Sequence, residues 1–411
     1  MKRKLLYLSP YFWPEEIGSA RYATELAIYL GKAGFEVQVE AFRPHYPDPA
    51  SFHEWADGSR DSEIHEGLPI RRAVARSRGN GGFKARVAND LGYLAHVLRG
   101  LVSGRFRRTG VTVAYVPSVL TLYAAFAVRL LTGARIVAVV HDIESGLAAA
   151  LGIARGGMML RLMQLVERIG LNRADHVVVL TEGMRSELDL LGCRRPVSVV
   201  PIWAETAPWQ EPLASERAVL LYSGNFGKKQ NLDQILPLLA RLDREGAPID
   251  VVLRGDGSER GRIADEIARQ GINHVRFLSF APAEAFATVL QEAHIHLVPQ
   301  AQNVANYALP SKLISIMGAG RPFICIAAKD SPLDDLARGS GAGFCVAPGD
   351  EDELFRIVTE LASDPTQQSV MGRKGQAYVR AQMDPDRVLG EYARIIDAVA
   401  ARSSVSSHFP L

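Results

Sequence analysis

The run Ser223-Gly224-Asn225-Phe226-Gly227-Lys228-Lys229 decides how this 411-residue chain reads, together with Arg254-Gly255-Asp256-Gly257 and Leu309-Pro310-Ser311-Lys312 leading into Gly318-Ala319-Gly320-Arg321-Pro322. Each segment follows an apolar run, Ala218 to Tyr222, Ile249 to Leu253 and Ile295 to Pro299, that reads as a buried strand. Strands of one sheet ending this way would gather small residues and lysines at its carboxyl edge. Open α/β sheets bind ligands there. Glycine lets backbone N–H groups approach a phosphate, a helix N-terminus adds partial positive charge, and lysine supplies a full one. The pattern predicts a ligand that carries a diphosphate.

Working outward, apolar runs alternate with helical patterns from end to end, which argues for parallel sheets with helices on both faces. The first half carries strand candidates at Leu5–Ser9, Glu36–Ala41, Ile70–Ala75, Val111–Val116, Ile136–Val140, His176–Leu180 and Val197–Val200. A helix is predicted from Ser19 to Ala33, with Tyr22, Leu26, Tyr29 and Leu30 at helical spacing and Gly34 as its stop. Prolines 201, 208 and 212 then interrupt the periodicity, and Pro201 to Ser215 reads as a linker. The second half adds strands at Val275–Leu278, Phe323–Ile326 and Gly343–Val346, and helices at Asp352–Ala362 and Pro385–Ala401. The expected fold is therefore α/β, with two Rossmann-like, doubly wound parallel-sheet domains facing across a cleft. Residues 1–203 form the first, with a helix over 385–402 packing back on it; residues 204–384 form the second, and 403–411 a frayed tail.

Hydrophobic content of 47% and charged content of 22% fit a globular protein with ample core. The three cysteines, Cys193, Cys325 and Cys345, lack CxxC spacing and fit a reducing cytoplasm. The uncharged run Val111 to Val128 is split by Pro117-Ser118 into a strand and a helix start, so it does not read as a membrane span. Net charge is +2, but residues 1–205 hold 26 Lys and Arg against 20 Asp and Glu. Much of this excess lies in 68–110, where Asp90 is the one acid and apolar residues such as Leu91, Leu98 and Val102 interleave with arginines. Two readings stand: an interfacial face for an anionic membrane surface, or a solvated basic rim over a core helix. No recognition motif accompanies the charge, so nucleic acid is not expected as a partner.

Beyond these patterns, the chain resembles the GT-B retaining glycosyltransferases of family four, especially their exopolysaccharide, colanic-acid-type branch. The resemblance covers nearly the whole chain. It is carried by Tyr11-Phe12-Trp13-Pro14 with Gly18-Ser19, Gly34-Phe35-Glu36-Val37, Val140-His141-Asp142, Ala174-Asp175 with Thr181-Glu182-Gly183-Met184, and the glycine and lysine motifs quoted above. It implies a first domain for the acceptor, a second for a nucleotide-diphosphate sugar as co-substrate, and transfer with retention to a glycan or polyprenyl-diphosphate-linked acceptor. The implied place is the cytoplasm, with peripheral attachment to the inner face of the membrane through 68–110 as the further reading.

The resemblance places catalytic roles on His141, Asp142, Lys229 and Lys312. Donor contacts fall to Gly18, Ser19, Ser223, Gly224, Asn225, Lys228, Arg254, Gly255, Asp256, Gly257, Leu309, Pro310, Ser311 and Ser315. Departure of a nucleoside diphosphate builds negative charge that fixed cations and amides stabilise, so no metal or other cofactor is implied. Asp384-Pro385-Asp386 reads as the start of the last helix. One departure stands out: Ser315 occupies the place where many relatives carry a glutamate for the donor ribose, and a hydroxyl makes a weaker contact than a carboxylate. The alternatives are a nucleotide-sugar 2-epimerase on the same architecture, and a degenerate nucleotide-binding subunit.

Overall fold

Runs of Val, Ile and Ala without polar alternation need cover on both faces, and here they occupy the middle of two separate sheets. The computed structural model describes residues 3–15, 18–45, 49–75, 83–152, 157–212, 215–302, 304 and 306–405. Arg76 and Arg78 of the basic segment, and the end of the tail from 406, lie outside the described residues. The chain divides into one unit of residues 1–149, 154–201 and 386–411, and another of 150–153 and 202–385.

The first unit contains strands β1 (Lys4–Leu8), β2 (Glu36–Phe42), β3 (Ser62–His65), β4 (Leu68–Ala73), β5 (Val111–Val116), β6 (Arg135–Val140), β7 (His176–Val179) and β8 (Val197–Val199). Their order is β3-β4-β2-β1-β5-β6-β7-β8. All neighbours are parallel except β3 and β4. Apart from the β3–β4 hairpin at the edge, chain order runs outward from β1 on one side and from β5 on the other, which puts the switch point between them. Helices α1 (Ala20–Lys32), α2 (Phe83–Val102), α3 (Leu120–Thr132), α4 (Glu144–Ala150), α5 (Gly157–Leu171) and α6 (Glu182–Leu191) cover the sheet. Helix α1 buries Tyr22, Leu26 and Leu30, and the chain leaves it through Gly34 at φ 100°. Thr181 begins α6 by accepting a hydrogen bond from the Met184 amide at 3.1 Å.

Strand β3 was not expected. It is short and half exposed, and it forms a hairpin with β4 through Glu66 and Gly67, both at positive φ (49° and 78°). A two-residue turn of this hand matches the twist of antiparallel strands. The hairpin also changes the reading of the basic segment. Arg72 is buried, paired with Glu63 at 2.5 Å, and donates to the carbonyls of Phe42 and Trp13.

The second unit contains β9 (Ala218–Ser223), β10 (Ile249–Arg254), β11 (Val275–Leu278), β12 (Ile295–Pro299), β13 (Phe323–Ile326) and β14 (Gly343–Val346), in the order β11-β10-β9-β12-β13-β14. All neighbours are parallel. The switch point lies between β9 and β12. Helices α7 (Leu236–Arg244), α8 (Arg260–Arg269), α9 (Phe286–Glu292), α10 (Lys312–Gly318), α11 (Pro332–Ser340), α12 (Glu351–Ala362) and α13 (Pro365–Gln382) flank this sheet. Helix α13 was not expected: its buried positions include Gln368, Gly372, Gly375 and Gln376, so it lacks an apolar stripe.

Residues from Ile202 onward do not hang free between units but line the second one. Trp203 is fully buried. Buried Arg321 donates to the Gln291 carbonyl at 2.7 Å and the Gln210 carbonyl at 2.8 Å. Gly318 and Gly320 belong to this packing and not to the carboxyl edge: a Cβ on Gly318 would lie 2.6 Å from the Glu205 carbonyl oxygen, and one on Gly320 2.9 Å from the Trp209 ring.

The last helix, α14 (Pro385–Val405), belongs to the first unit from Asp386 onward. It buries Val388, Leu389, Tyr392, Ile396 and Val399. Tyr392 donates to the Val200 carbonyl at 3.4 Å, and Arg3 pairs with Asp397. Asp386 falls in its first turn. No helix among the described residues is long and apolar enough to cross a membrane.

Candidate active site

Because β9, β10 and β12 are adjacent and parallel, the loops after them share one carboxyl edge in the second unit. The loops after β9 and β10 are stitched together by backbone hydrogen bonds. The Gly224 amide donates to the Arg254 carbonyl at 3.0 Å, and the Phe226 amide to the Asp256 carbonyl at 2.8 Å. Gly255 and Gly257 sit at φ 133° and 149°. A Cβ on Gly255 would overlap the Gly224 carbonyl oxygen, and one on Gly257 would lie 2.5 Å from the Phe226 carbonyl oxygen. These two glycines thus permit loop-to-loop contact, a reason that sequence spacing did not reveal. Across the switch point, the Ala301 amide donates to the Lys229 carbonyl at 2.8 Å.

Lys312 comes in from the third loop. Its residue is half-buried, yet its ammonium nitrogen is shut off from solvent and makes no hydrogen bond to any described group. It lies 3.9 Å from the centroid of the Tyr222 ring. Tyr222 is itself fixed, donating to the Asn225 carbonyl at 2.6 Å. A Cβ on Gly224 would meet the Lys312 Nζ at 3.4 Å, so the absence of a side chain there leaves the approach to that nitrogen open. Burial lowers the Lys312 ammonium from 10.5 to about 7. An enclosed amine poised between charge states, with no hydrogen-bond acceptor among the described residues, is suited to an incoming anion. Tyr222, which shapes this pocket, was missed because a strand aromatic carries no separate sequence signal.

The remaining expected residues of this unit fall around the same edge. Lys228, Asn225 and Asp256 are exposed, and Lys229 is half-buried. Ser223 ends β9. Asp256 accepts from the Gly257 amide at 2.8 Å. Arg254 is turned aside, donating to the Ser279 carbonyl at 2.9 Å. Pro310 and Ser311 accept from the Leu313 and Ile314 amides at 3.1 Å each, which starts α10 just after Leu309. Ser315 is half-buried within that helix.

In the first unit, His141 and Asp142 follow β6, and Gly18 and Ser19 follow β1. The Tyr115 hydroxyl lies 2.8 Å from His141 Nε2, and the ring centroids are 4.6 Å apart. Burial lowers the His141 imidazole to about 3, which keeps it neutral at ordinary pH. Gly18 has φ 68°, and Ser19 precedes α1 without a capping bond from its side chain. Sequence reasoning missed a polar group around Glu144, three residues beyond His141: Arg86 pairs with Glu144 at 2.8 Å, Glu144 accepts from the Val119 amide at 2.8 Å, and Ser118 donates to Asp90 at 2.8 Å. Burial pushes the Glu144 carboxyl up to about 7. Among the described residues no cluster of three or more His, Cys, Asp or Glu is arranged to hold a metal ion.

The family described as glycosyl transferases group 1 matches residues 204–378, and the glycosyl transferase 4-like domain matches residues 18–203. The chain belongs to the family-four GT-B glycosyltransferases. It is 26% identical, over 95% of its own length and 98% of the relative's, to a putative colanic acid biosynthesis glycosyl transferase, WcaI, of Escherichia coli. Among solved structures it is similar to a sucrose-phosphate synthase from Thermosynechococcus elongatus, at TM-score 0.78 and 16% identity, covering 98% of this chain and 100% of that one. It is also similar to Anabaena HepE in complex with UDP, at TM-score 0.68 and 17% identity, covering 97% and 100%. These likenesses give the fold as GT-B, and the family makes this glycosyltransferase an enzyme.

Proposed function

We propose that this glycosyltransferase moves a sugar, with retention, from a nucleotide-diphosphate sugar to a glycan or polyprenyl-diphosphate-linked acceptor in surface polysaccharide assembly. The observation that carries the proposal is Lys312, whose enclosed ammonium has no hydrogen-bond acceptor among the described residues and lies beside side-chain-free Gly224 at the switch point of the second sheet. The relative named for colanic acid biosynthesis supports the polysaccharide acceptor, and HepE, solved with UDP, supports the nucleotide donor.

In this reading the donor diphosphate takes the place beside Lys312, with Lys229 on the neighbouring loop adding a second cation. Both stabilise the charge that grows on the leaving diphosphate. The donor's own phosphate oxygen accepts the acceptor proton, so neutral His141 hydrogen-bonds the transferred sugar or orients the acceptor hydroxyl, with Asp142 beside it. Transfer proceeds without a metal. The protein works in the cytoplasm, with residues 68–110 set toward the anionic inner face of the membrane.

A panel of nucleotide-diphosphate sugars tests the proposal, scored by thermal shift and by product mass, because binding to the folded state raises apparent stability. The expected result is one donor that shifts the melt and yields free nucleoside diphosphate only with acceptor present. Binding without turnover on any acceptor would leave the nucleotide-binding subunit as the reading.

A further inference from the structure

Helices α2, α3 and α5 pack side by side in the first unit, α3 between the other two. The outer side of α5 is apolar where a solvated helix would be polar: Met158, Met159, Leu162, Leu165 and Ile169 are exposed by 39% to 87%. Residues 158, 162, 165 and 169 follow the four-three-four spacing of one helical face. Leu130 and Leu131 of α3 are 68% and 73% exposed, and Leu91, Leu98 and Val102 of α2 add to them. Isolated surface leucines need no explanation, but exposed apolar faces on adjacent helices do.

Charge decides what covers this face. Helices α3 and α5 contain Arg129, Arg161 and Arg168 against one acid, Glu167. Glu167 is buried, accepting from the Ser145 amide and hydroxyl. The one acid of α2, Asp90, accepts from Ser118. Exposed Arg161 and Arg168 therefore flank the α5 stripe with no exposed carboxylate on the three helices. A second copy of the chain, meeting this face about a two-fold axis, would bring those arginines against their own equivalents with no exposed acid of these three helices to offset them. An anionic lipid surface meets both features, accepting the apolar side chains at the acyl boundary and the guanidinium groups among its headgroups.

We propose that α5, supported by the outer residues of α3 and α2, is the element by which this protein lies on an anionic bilayer. This deepens the membrane reading above and rests on it, but moves the principal contact out of residues 68–110. Within that segment Arg72 is spent on Glu63 and on two backbone carbonyls, and Arg86 is paired with Glu144. Helix α5 has the longer exposed apolar stripe. Attachment by such a face is reversible and salt-sensitive.

The test is co-sedimentation of the full chain with phosphatidylcholine vesicles, with and without phosphatidylglycerol, at low and high salt. Wild type should bind the anionic vesicles and lose binding with salt. The triple variant L162Q/L165Q/I169Q should lower the bound fraction about tenfold or more, and R161Q/R168Q should abolish the preference for anionic lipid. Both should still melt cooperatively and keep the wild-type thermal shift with the donor that the panel identifies, since neither touches the candidate site. Unchanged sedimentation of the triple variant would overturn the inference, as would a wild type that dimerises through this face in light scattering and becomes monomeric in that variant. If wild-type vesicle binding is present but no nucleotide-diphosphate sugar of the panel gives a thermal shift, the donor reading fails while this surface stands.

Discussion

Lys312 is the residue on which the proposed chemistry turns, and its burial makes the pH dependence specific. Free Lys312 is half protonated near pH 7, and a diphosphate beside it favours the charged form. Below about pH 7 donor affinity should be flat; above it the protein must take up a proton to bind, so affinity should fall with rising pH. Calorimetry at pH 8 in buffers of different ionisation enthalpy should report this uptake, and a pH-independent affinity without uptake would rule it out. Lys312→Met keeps the apolar stem over Tyr222 but removes the charge. It should cost about 10²–10³-fold in turnover, by analogy with loss of one oxyanion-hole donor, while the protein still melts cooperatively. Lys229→Ala is the companion variant, and a near-normal rate there would leave the diphosphate to Lys312 and Lys228. His141 gives a different signature. Its imidazole stays neutral down to about pH 3 when folded, whereas an unfolded histidine protonates near 6.5. The unfolded state therefore binds more protons between those values, and stability falls as pH drops through that window. Denaturant melts between pH 7 and 4 should show a shallower loss for His141→Gln than for wild type.

At the scale of elements, the glycines of the second unit separate two physical roles that look alike in sequence. Gly255 and Gly271 both have positive φ, but a Cβ on Gly255 would overlap the Gly224 carbonyl oxygen, while one on Gly271 meets nothing within 4 Å. Gly271→Ala should cost about 1–2 kcal/mol of stability, from backbone strain alone. Gly255→Ala should cost more and should also abolish the thermal shift with donor, because the overlapped atom is backbone and can move only by parting the two loops. Equal melting temperatures for the two variants would show that the loops tolerate separation. The contrast also marks how far sequence reading reached. Strands buried on both faces announced themselves through runs such as Val111–Val116, and the motifs following β9, β10 and β12 fell on one edge because parallel strands share a direction. What stayed hidden depended on contacts. Strand β3 is too short and polar to show a period, α13 buries glycine and glutamine where a pattern search expects leucine, and the Arg86–Glu144 pair joins residues 58 positions apart.

For the whole molecule, α14 is the consequential element. Its five buried apolar side chains, at roughly 1.5–3 kcal/mol each, amount to about 7–15 kcal/mol, comparable to the entire stability of a typical domain. A chain ending at Asp384 should therefore lose the cooperative unfolding transition of the first unit while the second still melts. Calorimetry resolving two transitions in the full chain and one in the truncated chain would bear this out, and two intact transitions after truncation would refute it. Activity of the full enzyme should survive excess chelator, since cations from lysine occupy the role proposed for the leaving diphosphate; loss of turnover restored by magnesium or manganese would reject that assignment.

The placement of α14 also orders events on the ribosome. Residues 202–385 are contiguous and can complete their sheet as they emerge, but the first unit, synthesised up to residue 201, lacks its final helix until residue 386 and beyond leave the exit tunnel. At about 5–20 residues per second that interval is roughly 10–40 s. During it the groove destined for Tyr392 and Ile396 stands open on a nascent chain, a window in which chaperones have apolar surface to hold. Slowing translation across the second unit should lengthen that exposure, so the yield of folded enzyme depends on the codons of one domain through the unfinished core of the other.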